Sequence, residues 1–529
     1  MRECNLSPSV SCTIRSTIDL TFTRRCPVPL TEWKVNSHIM VSDHRPLTFK
    51  MACPKGQIRK SRNFHKADWG KFVNILESEM PPIKGGKWSQ VRIEQELDIL
   101  YHHINRALDA TCPERPRRVK HESLWWNEDC EKAKNNFKSI QRKVFKRTKK
   151  SKTPPTDEEW EEIKQARRAW TKTISKARKV AWRDFTSEIN SIPEAAKVIK
   201  ILTTGKPPEV GLLRKPNGEM CTSSEETLNV LLEEHFPRCE VGTELPYAPS
   251  TRKVKIEQYN WITPKILKTA IQEFGPHKAA GPDGLKPIVL QHIPEMGLIR
   301  LAEIFKACIT LSYTPHKWRK SIVSFMGKPN KTDKANPRTY RPLSLNSFLL
   351  KAMERVIKYH LEDDTFKKYP LHRKQYAFQK DKGTDDALSN TVNGIEQGLL
   401  RHKFVIAVFL DIQGAFDNIH PDAINRAMKD SGIPKYVRKW YYDLLTNRNC
   451  ECTIGNVTIE AKLNSGIPQG AVLSPPVGWN PSMDKLVILI DPLPVEQSAF
   501  ADDQALVALG DDPEMARKRA QAAIDKAET

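Results

Sequence analysis

Three carboxylates carry the chemistry this chain could perform. Asp411 closes the run Phe404-Val405-Ile406-Ala407-Val408-Phe409-Leu410-Asp411, and Asp502 and Asp503 sit within Ser498-Ala499-Phe500-Ala501-Asp502-Asp503-Gln504-Ala505-Leu506-Val507. The first run, rich in β-branched and aromatic residues, reads as a buried strand ending in an acid. The second, with apolar residues on both sides of an acidic pair, reads as a hairpin with Asp-Asp at its tip. Carboxylates are costly to bring together unless a cation balances them. Mg²⁺ takes hard oxygen ligands and leaves coordination positions for substrate phosphates. Two such ions activate a hydroxyl and stabilise a leaving pyrophosphate. Asp411, Asp502 and Asp503 are therefore the candidate metal site for nucleotidyl transfer. An Asp at a strand end also serves as a turn or cap residue, and Asp-Asp pairs also decorate surfaces, so these two stretches alone leave both readings open.

The chain that must position them has 529 residues, enough for roughly two to four domains with sizeable cores. Hydrophobic residues make up 39%, and the net charge of +22 points to a polyanionic partner, nucleic acid ahead of an anionic membrane. The 11 cysteines are scattered, odd in number and without a C-x-x-C pair. That usage fits a reducing compartment, nucleus and/or cytoplasm, rather than secretion. No apolar leader follows Met1-Arg2-Glu3-Cys4, no run reaches membrane-spanning length and no internal repeat is visible, so no membrane partner is expected.

The first fifty residues contain strand-like runs at 16–22 and 46–49 around Ser42-Asp43-His44. An Asp–His couple can do general acid–base work, and a second Asp can hold the imidazole, although Ser-Asp-His also suits a loop cap. Residues 51–255 read as mostly helical and basic, and as loosely docked on the C-terminal half of the chain. A helix is expected at 94–108, then a linker with Pro113, Pro116 and the cluster Arg115-Arg117-Arg118. Cys130, Ala133, Phe137, Ile140 and Val144 recur at helical spacing up to the break at Pro154-Pro155. Thr156-Asp157-Glu158-Glu159 forms a capping box, and Trp160, Ile163, Trp170, Ile174, Ala177 and Ala181 mark one face of the helix it opens. The two helices form an antiparallel pair whose lysines and arginines either run along a phosphate backbone or are simply solvated. Lys215-Pro216-Asn217-Gly218-Glu219 is a hairpin signal, and Thr222-Ser223-Ser224-Glu225 caps a helix.

From residue 256 the signals become dense. In order the chain shows Ala279-Ala280-Gly281-Pro282-Asp283-Gly284, Lys328-Pro329-Asn330-Lys331, Tyr340-Arg341-Pro342-Leu343-Ser344-Leu345, Gln375-Tyr376-Ala377-Phe378-Gln379, Phe409-Leu410-Asp411-Ile412 with Ala415-Phe416-Asp417, Gly466-Ile467-Pro468-Gln469-Gly470-Ala471-Val472-Leu473-Ser474-Pro475, and Phe500-Ala501-Asp502-Asp503. This succession resembles the reverse transcriptase of non-LTR (LINE-like) retrotransposons. The strand-like runs around Asp19 and Ser42-Asp43-His44 resemble the last two motifs of the exonuclease–endonuclease–phosphatase family, in the order such an open reading frame would have. There Asp19 would orient His44, beside Asp43. The metal-binding upstream half of that family is absent from these fifty residues, so no DNA cleavage is expected of them.

The resemblance implies an α+β fold. A right-hand polymerase palm and fingers, with an antiparallel palm sheet, would occupy 256–529, preceded by a helical basic region (51–255) and a β-rich endonuclease remnant (1–50). It implies that Asp411 and Asp502 ligate two Mg²⁺ ions (Mn²⁺ being the substitute), with Asp503 beside them and the Ile412 carbonyl completing the shell. Phe416 would crowd a ribose 2′-hydroxyl, Gln469 and Gly470 would face the incoming nucleotide, and Arg341 and Lys328 would grip its triphosphate. Lys351 reads as a helix-surface lysine and Asp417 as a capping or pairing residue. The partners would be an RNA template, a DNA primer or target, and dNTPs. Three features depart from the pattern: Pro476-Val477-Gly478-Trp479, where an uninterrupted apolar helix start is usual; Gln504 after the acidic pair; and a chain that stops at Thr529 without a thumb. The expectation is an RNA-directed DNA polymerase of retrotransposon origin in a truncated copy with weak processive synthesis. The alternative is a catalytically inactive retroelement remnant that binds RNA or DNA.

Overall fold

The computed structural model describes residues 30–35, 47–51, 60–112, 114–116, 125–151, 153–203, 210–243, 248–257, 259–328 and 331–528. Asp19, Asp43 and His44 lie outside the described residues, as do Pro329 and Asn330.

Helices and sheets are mixed, in keeping with the α+β expectation. One sheet has five strands in the order Glu240–Val241, Val457–Leu463, Arg448–Ile454, Lys320–Gly327 and Tyr340–Leu345, with a single parallel pairing between Lys320–Gly327 and Arg448–Ile454. A second, fully antiparallel sheet has three strands in the order Val495–Phe500, Asp503–Gly510 and Phe404–Asp411. The Asp411 strand is not buried, as its composition implies; it is the edge of its sheet and its outward residues are open, Phe409 being 72% exposed. A short apolar run looks the same in a half-covered edge strand as in a central one, so the pattern cannot separate them.

The two faces of the three-stranded sheet are covered unequally. Val408, Leu410 and Leu506 face Ile490 and Ala523, under the helices Asn480–Ile490 and Pro513–Glu528. On the other face the helix Thr384–Leu400 sits close to Val405 and Leu509, where a Cβ on Gly398 would come within 2.8 Å and 2.5 Å of their side chains. The C-terminal end of this helix covers the end of the sheet remote from Asp411, while Asn390, earlier in it, donates to Ser498 Oγ at 2.7 Å on the opposite edge strand; Asp411 and Asp503 are left exposed.

The largest core runs continuously from Phe64 to Ala499 and crosses residue 256. The helix Gln90–Thr111 starts earlier than expected because Ser89 caps it, accepting from the Arg92 N–H. It buries Ile93, Leu97, Leu100, Ile104 and Leu108, each contributing about 1.5–3 kcal/mol on full burial. Its polar residues are also fastened to the later chain. Glu94 accepts from the Tyr313 hydroxyl at 2.6 Å and from His316 N at 2.8 Å, and Arg300 pairs with Glu96. The expectation of loose docking therefore fails for this helix: its apolar spacing is legible, but not that its partner would be residues 285–313. The expected linker also changes character, since Glu114–Pro116 pairs as a strand with Lys60–Arg62.

The Gly281-Pro282-Asp283-Gly284 turn is held from both sides. Asp283 accepts from the Tyr101 hydroxyl at 2.9 Å and from Ser347 Oγ at 2.5 Å, and burial raises its carboxyl above the ordinary range. A Cβ on Gly281 would stand 2.6 Å from the backbone carbon of Asn346 and 2.7 Å from Ser347 N. Backbone cannot step aside as a side-chain tip can, so Gly281→Ala is expected to destabilise the chain by about 3 kcal/mol. Gly284→Ala meets no neighbour but has φ +71°, which costs about 1–2 kcal/mol. Urea midpoints of the two variants should fall in that order.

Candidate active site

The hairpin register builds the acidic cluster. Phe500 pairs with Asp503, so Ala501 and Asp502 form a two-residue turn, and Ala501 takes the left-handed conformation (φ +58°) that such hairpin turns require. Asp503 then stands directly opposite Asp411 in the antiparallel ladder. Opposed residues share one face of the sheet, with Cα atoms about 4.5–5.5 Å apart. Positions about ninety residues apart in the sequence are thus adjacent. Burial, then the charges of Asp503 and Asp411, hold the Asp502 carboxyl above its ordinary range, with Arg341 pulling it down.

Such a set is short of positive charge and supplies hard oxygens, which is what a divalent cation requires. Among the described residues no three His, Cys, Asp or Glu side chains form a preformed metal cage. Mg²⁺ does not need one, because it is bound through one or two carboxylates together with substrate phosphates. The carboxylates therefore fit the ion, and Ile412, at the strand end, is exposed beside them.

The loop Gly466-Ile467-Pro468-Gln469-Gly470 ties the two sheets together. Gly466 N donates to the Ile419 carbonyl at 2.8 Å and Ile467 N to that of Phe416 at 2.7 Å. At the other end Ser344 N, on the Arg341 strand, donates to the Gln469 carbonyl at 2.9 Å. Both glycines are required. Gly466 has φ +76°, and a Cβ there would meet the Asp417 and Phe416 carbonyl oxygens at 2.7 and 2.8 Å; Gly470 has φ +111° and faces the Ser344 carbonyl at 3.0 Å. Gln469 Nε2 donates to Asp417 Oδ1 at 3.0 Å, and Asp417 Oδ2 lies 3.7 Å from His235 Nδ1. The pairing role expected of Asp417 is what its geometry shows. Arg341 is exposed on its strand, and Lys328, half-exposed, donates its backbone N–H to Thr339.

Three residues that sequence reasoning passes over position this site. Trp479 stacks on Phe416 (centroids 5.2 Å apart) and donates its indole N–H to the Ala501 carbonyl at 2.9 Å, linking the Phe416 ring to the acidic turn. Its segment, Ser474–Trp479, forms a wide π-helical turn leading into Asn480–Ile490, which is how the chain accommodates the departures Pro476 and Gly478. The signal is present in the sequence as an out-of-pattern tryptophan. Arg448, buried, donates to the Ser465 and Gly466 carbonyls at 2.9 and 2.7 Å. Glu354 accepts from Val472 N at 2.9 Å, and its other oxygen has no hydrogen-bond partner among the described residues. Neighbouring Lys351 is half-buried over the Phe348 ring rather than on the helix surface as expected. Gln504 turns inward to donate to Gln497 at 3.0 Å.

Burial pushes the Glu354 carboxyl up to about 7, from an ordinary value of 4.5. A carboxyl that binds its proton more tightly when folded stabilises below its unfolded pKa, and this contribution is lost as pH rises through the folded pKa. The window is therefore pH 4.5 to about 7. Glu354→Gln should abolish that loss, about 3 kcal/mol, leaving the variant more stable than the wild type at pH 8. Urea unfolding at pH 4 and pH 8 measures it.

Residues 328–527 match the family described as reverse transcriptase (RNA-dependent DNA polymerase). The chain is 24% identical over 486 residues to the putative 115 kDa protein in type-1 retrotransposable element R1DM of Drosophila melanogaster, covering 90% of this chain and 45% of that protein. It is 25% identical to the probable RNA-directed DNA polymerase from transposon BS of the same species, over 88% of this chain and 52% of the relative. It is 28% identical to the RNA-directed DNA polymerase from mobile element jockey, over 51% of this chain and 30% of the relative. The chain is thus similar to proteins of retrotransposable elements, and it spans about half the length of the first two relatives.

Proposed function

We propose that this chain is an RNA-directed DNA polymerase of a non-LTR retrotransposon, extending a DNA primer on an RNA template with dNTPs. The observation that carries this reading is the pairing of Asp411 with Asp503, beside Asp502 and within the influence of Arg341. Asp411 and Asp502, assisted by Asp503 and the Ile412 carbonyl, would hold Mg²⁺, with Mn²⁺ as substitute. Bound metal supplies activation of the primer 3′-hydroxyl and neutralisation of the leaving pyrophosphate. Arg341 offers the triphosphate a planar, two-pronged donor and Lys328 a mobile point charge. Phe416, held by Trp479, presents its ring to the sugar. Gln469, oriented by Asp417, and Gly470, with no side chain, form a flat wall for the nascent base pair.

In this reading the two sheets, apart from the edge strand Glu240–Val241, belong to a palm and fingers within 256–529, the mostly helical region 51–255 precedes them and lends that strand, and residues 1–50, with Asp19, Asp43 and His44, are an endonuclease remnant. The protein would act inside the cell, in the nucleus and/or cytoplasm. Primer extension by the full chain tests the reading. Incorporation that depends on RNA template, divalent ion and Asp411 supports it. Incorporation indifferent to Asp411→Asn overturns the site. A wild-type chain that binds RNA without any incorporation supports the alternative, a catalytically inactive remnant.

A further inference from the structure

The helices Glu128–Ser151 and Asp157–Ser187 pack against each other as the antiparallel pair the spacing implied. The capping box is formed at Thr156 and Glu159, and Arg147 reaches across to Glu159. Phe137 stacks on Trp170 at 5.3 Å, and Ile163, Ala166 and Ala177 are buried. At about 100° per residue these contacts place the packed face of the second helix on one narrow arc. Lys164, Arg168, Lys172, Lys176, Lys179 and Arg183 fall on the remaining arc, and all six are exposed. No acidic residue lies between Glu162 and Asp184. Among the described residues Arg168 has one distant ion pair, to Glu161 at 4.0 Å, and the other five have none. The stripe extends about 28 Å along the helix. An ordinary solvated helix would intersperse acids at i,i+4 to relieve this repulsion; here the repulsion is left for a partner to neutralise.

Trp182 and Phe185 make the surface specific. They are 46% and 48% exposed, with ring centroids 5.8 Å apart, and Trp182 falls in line with Lys164 on the basic arc. Cations offer contacts to phosphates, and rings open to solvent beside them offer stacking to bases. A duplex would satisfy the charges but keeps its base faces covered.

We propose that the outer face of the Asp157–Ser187 helix binds a single strand of nucleic acid, its cations on the phosphates and Trp182 and Phe185 stacked on unpaired bases. The inference stands on this helix and not on the carboxylate site, so it is read with the full chain in EDTA and without dNTPs. Anisotropy of labelled oligo(U) across a salt series is the measurement. Lys164, Lys172, Lys176 and Lys179 all changed to Glu should weaken binding more than tenfold and flatten the log–log salt slope by about 3. Trp182→Ala with Phe185→Ala should weaken oligo(U) binding about tenfold or more while leaving the salt slope and duplex binding unchanged. Should charge reversal disturb the helix pair, seen as a lowered melting temperature, the same four positions changed to Gln give the test. Unchanged affinity and slope in the lysine variants would overturn the proposal. So would loss of duplex and oligo(U) binding in equal measure on removing the rings. Displacement of oligo(U) by polyglutamate as readily as by poly(U) would also overturn it, marking a surface for an acidic protein.

Discussion

Asp502→Asn is expected to eliminate template-directed dNTP incorporation, by about 10³-fold or more (about 4 kcal/mol of transition-state stabilisation), while leaving the fold intact. Asparagine keeps the shape of the turn but removes the charge that would draw a divalent cation. The fold should not suffer because the carboxylate is not paired in a way that stabilises it. Burial and the charges of Asp503 and Asp411 raise its pKa, so ionisation is a cost to the folded state at neutral pH. Removing it should leave the urea midpoint of metal-free protein unchanged or slightly higher. The two readouts must separate, activity lost and stability kept. A variant that lost both would point to a structural carboxylate, and one that kept full incorporation would remove Asp502 from the site.

Phe416→Val is the second large effect, and it concerns selection rather than rate. The ring is fixed on one side by Trp479 and is carried on a turn bonded to Gly466 and Ile467. In the proposed reading, a ring so fixed would not swing away from a ribose 2′-hydroxyl placed against it. Truncation to valine should raise the relative use of rNTP over dNTP by about 10²-fold, the usual scale for rejecting one added hydroxyl. Single-nucleotide incorporation with paired dNTP and rNTP titrations measures the ratio. Trp479→Phe keeps a ring against Phe416 but loses the indole donor to Ala501, so it should lower dNTP incorporation with a smaller effect on the ratio. Equal falls in dNTP and rNTP use by Phe416→Val would mean that the ring only packs.

Much of this protein can be read from its residues because the informative signals are local. The capping box at Thr156, the apolar period of the Gln90–Thr111 helix, the Lys215–Glu219 turn and the acidic hairpin tip each depend on neighbours within a few positions. The order of short motifs from Ala279 to Asp503 likewise implies the class of enzyme before any contact is known. What the tertiary structure decides is which distant pieces meet. A strand's alternation does not say which strand lies beside it, and only the register puts Asp503 opposite Asp411 and leaves the Asp411 strand at an edge. Nor does a glycine announce what approaches it; the backbone of Asn346 against Gly281 and of Phe416 against Gly466 comes from segments dozens of residues away. The same holds for Trp479, Arg448 and Glu354, whose partners are carbonyls, a ring and an amide that no pattern in the chain marks, because hydrogen-bond complementarity in a packed interior is a property of three-dimensional neighbours.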